Sequence, residues 1–307
     1  MKPNESLITI DNNELKIKSF IQDMIIKPRE IAHKWSKVTN QTPNLKIGYP
    51  FQHLASLITG MQGNATGARG EDLVDGSEIK SCSKIDQSDK CKNCGENVLR
   101  IEEKCPFCSS VNIKRNNDSK WLIGIRSEDE LRMLKEETDR FIFIVFDYPY
   151  FKYKNFNTTR IRSYEVWTKS KRCNNFVKLM ESYYKNIFLK HKKLNSDKTP
   201  APKNIFPDSY PFFMCNPIKT FECIIDGKNI MINHFIEPNC SRENIESKLM
   251  PISILRQNEI NILKKHIKNF DEKTTPLINE EMRKLLSLRD TDKKIKIIGN
   301  KIHKKLK

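Results

Sequence analysis

The stretch Gly67–Ser81, GARGEDLVDGSEIKS, sets Glu71, Asp72 and Asp75 just ahead of Glu78-Ile79-Lys80. On a strand, side chains alternate, so Glu78 and Lys80 share one face while Ile79 turns toward a core. Asp75-Gly76 is a hairpin turn signal, and the length of its loop decides which acid meets Glu78. A two-residue turn places Leu73 opposite Glu78. A three-residue loop, Val74-Asp75-Gly76 with Gly76 in the left-handed position of a G1 bulge, places Asp72 there instead. The second register gathers Asp72, Glu78 and Lys80 on one face and Leu73 with Ile79 on the other, and is the one expected; Glu71 and Asp75 stay open as the first acid. Two facing carboxylates repel unless a cation sits between them, and a hard divalent ion with oxygen ligands fits, with the Ile79 carbonyl as a third donor. Lys80 is then placed to orient or deprotonate a water, as metal-assisted phosphodiester hydrolysis requires. The Glu-x-Lys spacing alone carries little, because Glu14/Lys16, Glu102/Lys104 and Glu246/Lys248 repeat it. The bland reading is an exposed hairpin of scattered charge.

A second constellation follows at once. Cys91-Lys-Asn-Cys94 and Cys105-Pro-Phe-Cys108 are two knuckles ten residues apart, the spacing of a tetrahedral four-thiolate zinc site. Four sulfurs leave no position for water, so the Zn2+ is expected to be structural, supplying folding free energy to a short ribbon with little core of its own. Lys92, Arg100, Lys104, Lys114 and Arg115 lie in or beside the ribbon as phosphate contacts or as solvated charge.

The elements that must position these residues read as alternating helices and strands. Residues 13–37 carry apolar side chains at helical spacing, with Pro28 opening a second helix after a break. A short helix from Phe51 stops at Gly60. Beyond the ribbon, Trp121–Arg126 and Arg140–Asp147 read as buried strands around the helical SEDELRMLKEETD, and Ile161–Trp167 alternates as a further strand. NNFVKLMESYYKNIFLKHKK is amphipathic. Asn195–Pro217 is rich in proline and aromatics and reads as an ordered irregular segment. Strands near Phe221–Ile225 and Asn229–Phe235 precede a helix from about Pro251 to Asn269. The C-terminus carries seven lysines after Asp292. The pattern is that of an α/β (α+β) protein, a mixed sheet flanked by helices.

The chain has 55 Lys and Arg against 38 Asp and Glu, a formal charge of +17, which points to a polyanionic partner through counterion release. Arg69, in the Gly-rich loop before the acids, is the residue expected against the substrate backbone. Arg160 and Arg162 flank a strand that would lie near DNA. The apolar run Phe141–Phe146 is six residues, short of the ~18 that span a bilayer. MKPNESLITIDNNELK lacks the apolar region of a signal peptide. A cytoplasmic protein without membrane contact is expected, and in that compartment the nine cysteines are ligands or buried thiols. His53 reads as a packing residue, and Asn233-His234 does not assemble with others into a histidine-based nuclease site. Tyr164, Trp167, Tyr183 and Tyr184 read as core.

Asp72 followed by Glu78-Ile-Lys80, on a hairpin behind a short helix, resembles the core of the PD-(D/E)XK nuclease superfamily. More narrowly, QHLASLITG…GARGEDLVDGSEIKSC, the paired CxxC knuckles and APKNIFPDSYPFFMCNP resemble type II restriction endonucleases of the MamI-like kind. The resemblance implies Asp72 and Glu78 as Mg2+ ligands and Lys80 as catalytic lysine. It also implies a helix-borne Gln or Glu completing the site, here Gln52, and products with 5′-phosphate and 3′-hydroxyl ends. Glu71 stands where proline precedes the first acid in the superfamily pattern. A palindromic target implies a two-fold homodimer, and restriction implies a cognate DNA methyltransferase in the same cell, not as a stable complex.

The expected organisation is an N-terminal helical region (1–50), a nuclease core (51–170) interrupted by the zinc ribbon (86–116), and a C-terminal α/β region (171–307) with a basic tail and a role in DNA recognition. The expected function is Mg2+-dependent cleavage of double-stranded DNA at a short specific sequence. The rival is a non-catalytic zinc-ribbon protein that binds nucleic acid and uses the acids structurally.

Overall fold

A computed structural model describes residues 1–65 and 71–289; Arg69 and the lysine-rich C-terminus lie outside them. Its centre is a five-stranded mixed sheet built from β1 (Ser77–Ser83), β6 (Arg140–Asp147), β7 (Thr158–Trp167), β9 (Ile218–Asp226) and β10 (Asn229–Phe235), in that spatial order. The numbering leaves room for β2–β4 in the ribbon, β5 (Trp121–Ile123) and β8 (Lys203–Ile205). β1 runs parallel to β6, and every other neighbour is antiparallel.

The sheet is covered on both faces there, which is why β6 carries the unbroken apolar run Phe141–Phe146 between Arg140 and Asp147 and is buried along its whole length. Ile142, Ile144 and Phe146 join Ile79, Ile161 and Phe221 on one face, under α1 (Asn13–Ile21), α2 (Lys27–Thr39) and α3 (Gly48–Thr59). Phe141, Phe143 and Val145 join Cys82, Tyr164 and Val166 on the other, under α4 (Glu128–Glu136) and α5 (Asn174–Tyr183). Tyr183 and Tyr184 belong to that second core, and Trp167 packs against it.

Several elements differ from the sequence expectation for physical reasons. Pro28 does not break the N-terminal helix: a π-helical turn, Gln22–Ile26, joins α1 to α2, and the proline sits in the first turn of α2, where its missing N–H is tolerated. Trp121 does not extend the main sheet, because the outer edge of β1 is already taken by the turn that carries Asp72. β5 pairs instead with β8, and the Trp121 indole donates to the Ile144 carbonyl at 2.9 Å. The segment expected to be irregular thus contains β8 and a short helix, α7 (Tyr210–Met214). The expected helix from Pro251 begins only at Gln257, since Met250 and Pro251 pair with Ile278 and Leu277.

Asp86, just past β1, is 2% exposed and clamped by Arg29 of α2 at 2.6 and 3.0 Å, with His33 at 2.9 Å. Burial alone would raise its pKa, but His33 and Arg29 outweigh burial and hold the carboxyl well below the usual range. A depressed acid contributes stability above the unfolded-state pKa and loses it as pH falls. Asp86→Asn is expected to destabilise the fold by about 3 kcal/mol at neutral pH. The gap from the wild type should narrow in urea melts below about pH 4.

Candidate active site and metal centre

The hairpin adopts the three-residue loop. The Leu73 carbonyl accepts from the Gly76 N–H at 3.1 Å, the Leu73 N–H donates to the Ser77 carbonyl at 3.2 Å, and Gly76 has φ +78°. This is a turn closed by a left-handed glycine, the position that a side chain would strain. Residues ahead of the turn form no regular strand. Leu73 bridges to Gly63, the Val74 N–H donates to the Gln62 carbonyl, and Asn64 holds the Glu71 and Leu73 carbonyls at 3.0 Å.

That register lays Asp72 against the outer edge of β1. One carboxylate oxygen accepts from the Ile79 N–H at 2.7 Å, and the other accepts from the Gln52 side-chain amide of α3, also at 2.7 Å. The N–H and C=O of one strand residue leave on the same side, so the Ile79 carbonyl shares that edge with Asp72. Glu78 and Lys80 form an ion pair with side chains 26% and 27% exposed. They line a cavity of ≈160 Å³ with Ile123, Met133, Leu134 and Phe141, on the α4 side of the sheet. Burial pushes the Glu78 carboxyl up; Lys80 opposes the shift, and the charges of Asp72 and Glu71 add to it. A carboxylate short of compensating charge, beside a second carboxylate and a backbone carbonyl, is the donor set a hard divalent cation takes.

Asp75 is engaged elsewhere. Its oxygens accept from the Ser77 N–H at 3.2 Å and pair with Arg140 at 2.9 Å, and its side chain is 8% exposed. Gln52 has a defined partner, so its removal has a defined consequence. Gln52→Ala would leave that oxygen of Asp72 without its side-chain donor and free the carboxylate to rotate.

The arginines expected near DNA are both paired with acids of the fold, and Arg162 is buried. Arg160 forks onto Asp147 at 2.9 and 3.0 Å, and Arg162, 4% exposed, pairs with Asp147 and with Asp208 at 2.8 Å. His53 meets the Phe20 ring, and the His234 Nε2–H donates to the Lys219 carbonyl at 2.8 Å. The sequence reading missed the buried polar clusters. Arg140, Glu165 and Arg242 form one; Arg162, Asp208 and Lys248 form another. The bonded partners lie 25 and 77 residues apart in the first and 46 and 40 in the second. Only an arginine heading an apolar strand hinted at either.

In the ribbon, β2 (Asp89–Cys91), β3 (Asn97–Val98) and β4 (Ile113–Lys114) form a small antiparallel sheet. It brings the sulfurs of Cys91, Cys94, Cys105 and Cys108 within 4.8 Å of one another. Cys91 and Cys108, and likewise Cys94 and Cys105, are 3.6 Å apart, close to the ~3.8 Å edge of a tetrahedron with Zn–S bonds of about 2.3 Å. The Asn93 side-chain amide and the Ser110 N–H hold the Cys108 thiol down to about 6, which favours the thiolate that metal binding needs. The cluster therefore suits zinc. Arg100 and Arg115 do not reach outward from it. Both bind the buried Asp89, at 2.7 and 2.9 Å, and Arg100 also lies over the rings of Tyr148, Phe151 and Phe156.

The structure thus joins a mixed sheet, an acidic turn on the edge of β1 and a four-cysteine ribbon in one chain. The chain belongs to the MamI restriction endonuclease family, whose model matches residues 34–253. A curated relative, the type II restriction enzyme MamI of Microbacterium ammoniaphilum, is 28% identical over 83 residues. That alignment covers 27% of this chain and 27% of the relative, so it spans about a quarter of the relative's length. No solved structure matches. Among the described residues, no helix is long and apolar enough to cross a membrane.

Proposed function

We propose that the protein is a type II restriction endonuclease that hydrolyses phosphodiester bonds of double-stranded DNA with Mg2+. We read its sheet as a PD-(D/E)XK nuclease core. The observation that carries the reading is the Asp72 carboxylate, held by Gln52 and the Ile79 N–H beside the Glu78–Lys80 pair.

Asp72, Glu78 and the Ile79 carbonyl would hold Mg2+, which when bound acidifies a water and neutralises charge on the phosphate. Glu78 must be ionised to serve, and its raised pKa makes that ionisation a function of pH. Lys80, paired with Glu78 in this structure, would hold the attacking water by its ammonium or, once neutral, take its proton. Gln52 fixes the Asp72 carboxylate and keeps its second oxygen toward the edge. Since a proton on Glu78 competes with the ion, half-saturating Mg2+ should fall as pH rises, over a range above the ordinary carboxylate value of about 4.3. A flat dependence across that range would exclude Glu78 as a ligand.

On this reading residues 1–50 are an N-terminal helical region, 51–170 hold the chemistry with the zinc ribbon of 86–116 as a structural insert, and 171–307, whose β9 and β10 complete the central sheet, serve DNA recognition. That region contributes a cavity of ≈950 Å³ lined by the cations Lys171, Arg172, Lys178, Arg283 and Lys284 against the acids Glu243, Glu246 and Glu280. It lies at the end of the sheet where Trp167 pairs with Arg140 and Arg140 with Ser77, the end that carries Glu78. A homodimer would cut both strands of a palindrome, and a cognate methyltransferase would protect the host's own sites.

Plasmid incubated with the protein and Mg2+, or with EDTA, tests this reading. Discrete fragments that require Mg2+, with 5′-phosphate ends, are expected. Uncut DNA that still shifts in a gel would favour a binding protein, and a smear would remove the sequence specificity.

A further inference from the structure

Arg140 is fully buried at the head of β6, between Ser77 on one neighbouring strand and Trp167 on the other. Its Nε donates to the Ser77 hydroxyl at 2.7 Å, one terminal nitrogen meets the Asp75 carboxylate at 2.9 Å, and the other meets Glu165 at 2.9 Å. Its guanidinium lies 5.1 Å over the Trp167 ring. Glu165, 1% exposed, is also bound by Arg242 at 3.2 Å and by the Trp167 indole at 2.9 Å. Two guanidinium groups thus face two carboxylates in a closed and neutral cluster. Such a cluster is rigid because breaking any member strands a buried charge.

Asp75 and Ser77 are the residues on either side of Gly76, the left-handed glycine of the hairpin. Asp72 and Glu78 are the next acids outward on the two arms. Gly76 gives the turn its shape but, as a glycine, also leaves it the freest backbone in the hairpin. The bonds of the turn, Gly76 N–H to the Leu73 carbonyl and Ser77 N–H to Asp75, favour the three-residue register over the two-residue one that would place Leu73 opposite Glu78. The buried guanidinium adds a grip on both flanks of the glycine from outside the hairpin.

We propose that Arg140 is a positioning residue for the metal-binding hairpin. By holding Asp75 and Ser77 to the sheet it secures the register in which Asp72 and Glu78 converge on one ion, and it touches neither the ion nor the DNA. This rests on the nuclease reading given above. Asp75, an acid in the same loop as the ligands, is on this account an anchor and not a ligand.

Binding of Mn2+, followed by electron paramagnetic resonance on the full chain, tests the role separately from turnover. Arg140→Lys keeps the charge but loses the fork. Asp75→Asn keeps the shape but loses one ionic partner, and serves should the arginine variant fail to fold. In folded variants with full zinc content, Mn2+ affinity should drop about tenfold. Cleavage should regain most of its wild-type maximal rate at saturating ion, so that the loss appears in the metal dependence and not in kcat. A site present in the wild type, lost in Glu78→Gln and unchanged in both anchor variants would overturn the positioning role alone. A wild type with no Mn2+ site that depends on Glu78 would overturn the nuclease reading and, with it, this proposal.

Discussion

Glu78→Ala should still bind duplex DNA and should cleave it at least about a thousandfold more slowly. The size follows from what the side chain is asked to do. On the proposed reading Glu78 is one of two carboxylate ligands, whose loss would forfeit several kcal/mol of stabilisation of the phosphate charge, and about 4 kcal/mol corresponds to a factor of about a thousand in rate. The change removes a half-buried carboxylate that burial already disfavours, so the fold should tolerate it. Lys80 loses its partner at the same time. DNA affinity should hold or rise, because a negative charge facing the phosphates has gone. Gel shift and single-turnover cleavage on one preparation separate the two effects, and preserved cutting would remove Glu78 from the mechanism.

Cys94→Ser should lose the zinc and unfold the ribbon. The sulfurs of the four cysteines are the reason residues 91–108 fold at all, since the local buried cluster consists only of Cys91, Val98 and Cys105, with Cys108 and Ile113 against it. Binding of a structural zinc is worth on the order of 10 kcal/mol, far more than such a cluster can supply. The damage should not stop at the knuckles. Asp89 neutralises Arg100 and Arg115, and Arg100 caps the aromatic group of Tyr148, Phe151 and Phe156 at the end of β6. Zinc content by mass spectrometry should fall from one ion per chain to none, and proteolysis should cut first between residues 86 and 116. A variant that keeps its zinc would contradict the four-thiolate assignment.

Local chemistry made much of this legible in the sequence. The left-handed glycine, the period-two alternation of Glu78-Ile79-Lys80 and the CxxC spacing each depend on neighbours within a few residues. The strand over Arg140–Asp147 announced itself because burial on both faces leaves no polar position. What was hidden depends on contacts between distant segments. Asp75 looks like a candidate ligand until Arg140, 65 positions away in the chain, is seen to claim it. Arg100, Arg115, Arg160 and Arg162 look like phosphate contacts on a chain of +17 charge until their buried aspartates are located. Trp121 reads as a sheet strand because its sequence is apolar, yet the edge it would need is occupied by the Asp72 turn. In each case a pairing decided the outcome, and pairing is a property of the fold.

The most direct measurement is an anomalous difference map from a crystal grown with Mn2+ and a duplex carrying the cleavage site. The account predicts a peak at the edge of β1, within about 2.5 Å of oxygens from Asp72, Glu78 and the Ile79 carbonyl. A phosphate oxygen of the DNA should face it, with the Lys80 ammonium on the far side of the attacking water. A peak elsewhere, or Asp72 still bound to Gln52 and Ile79 with no ion and no phosphate nearby, would contradict it.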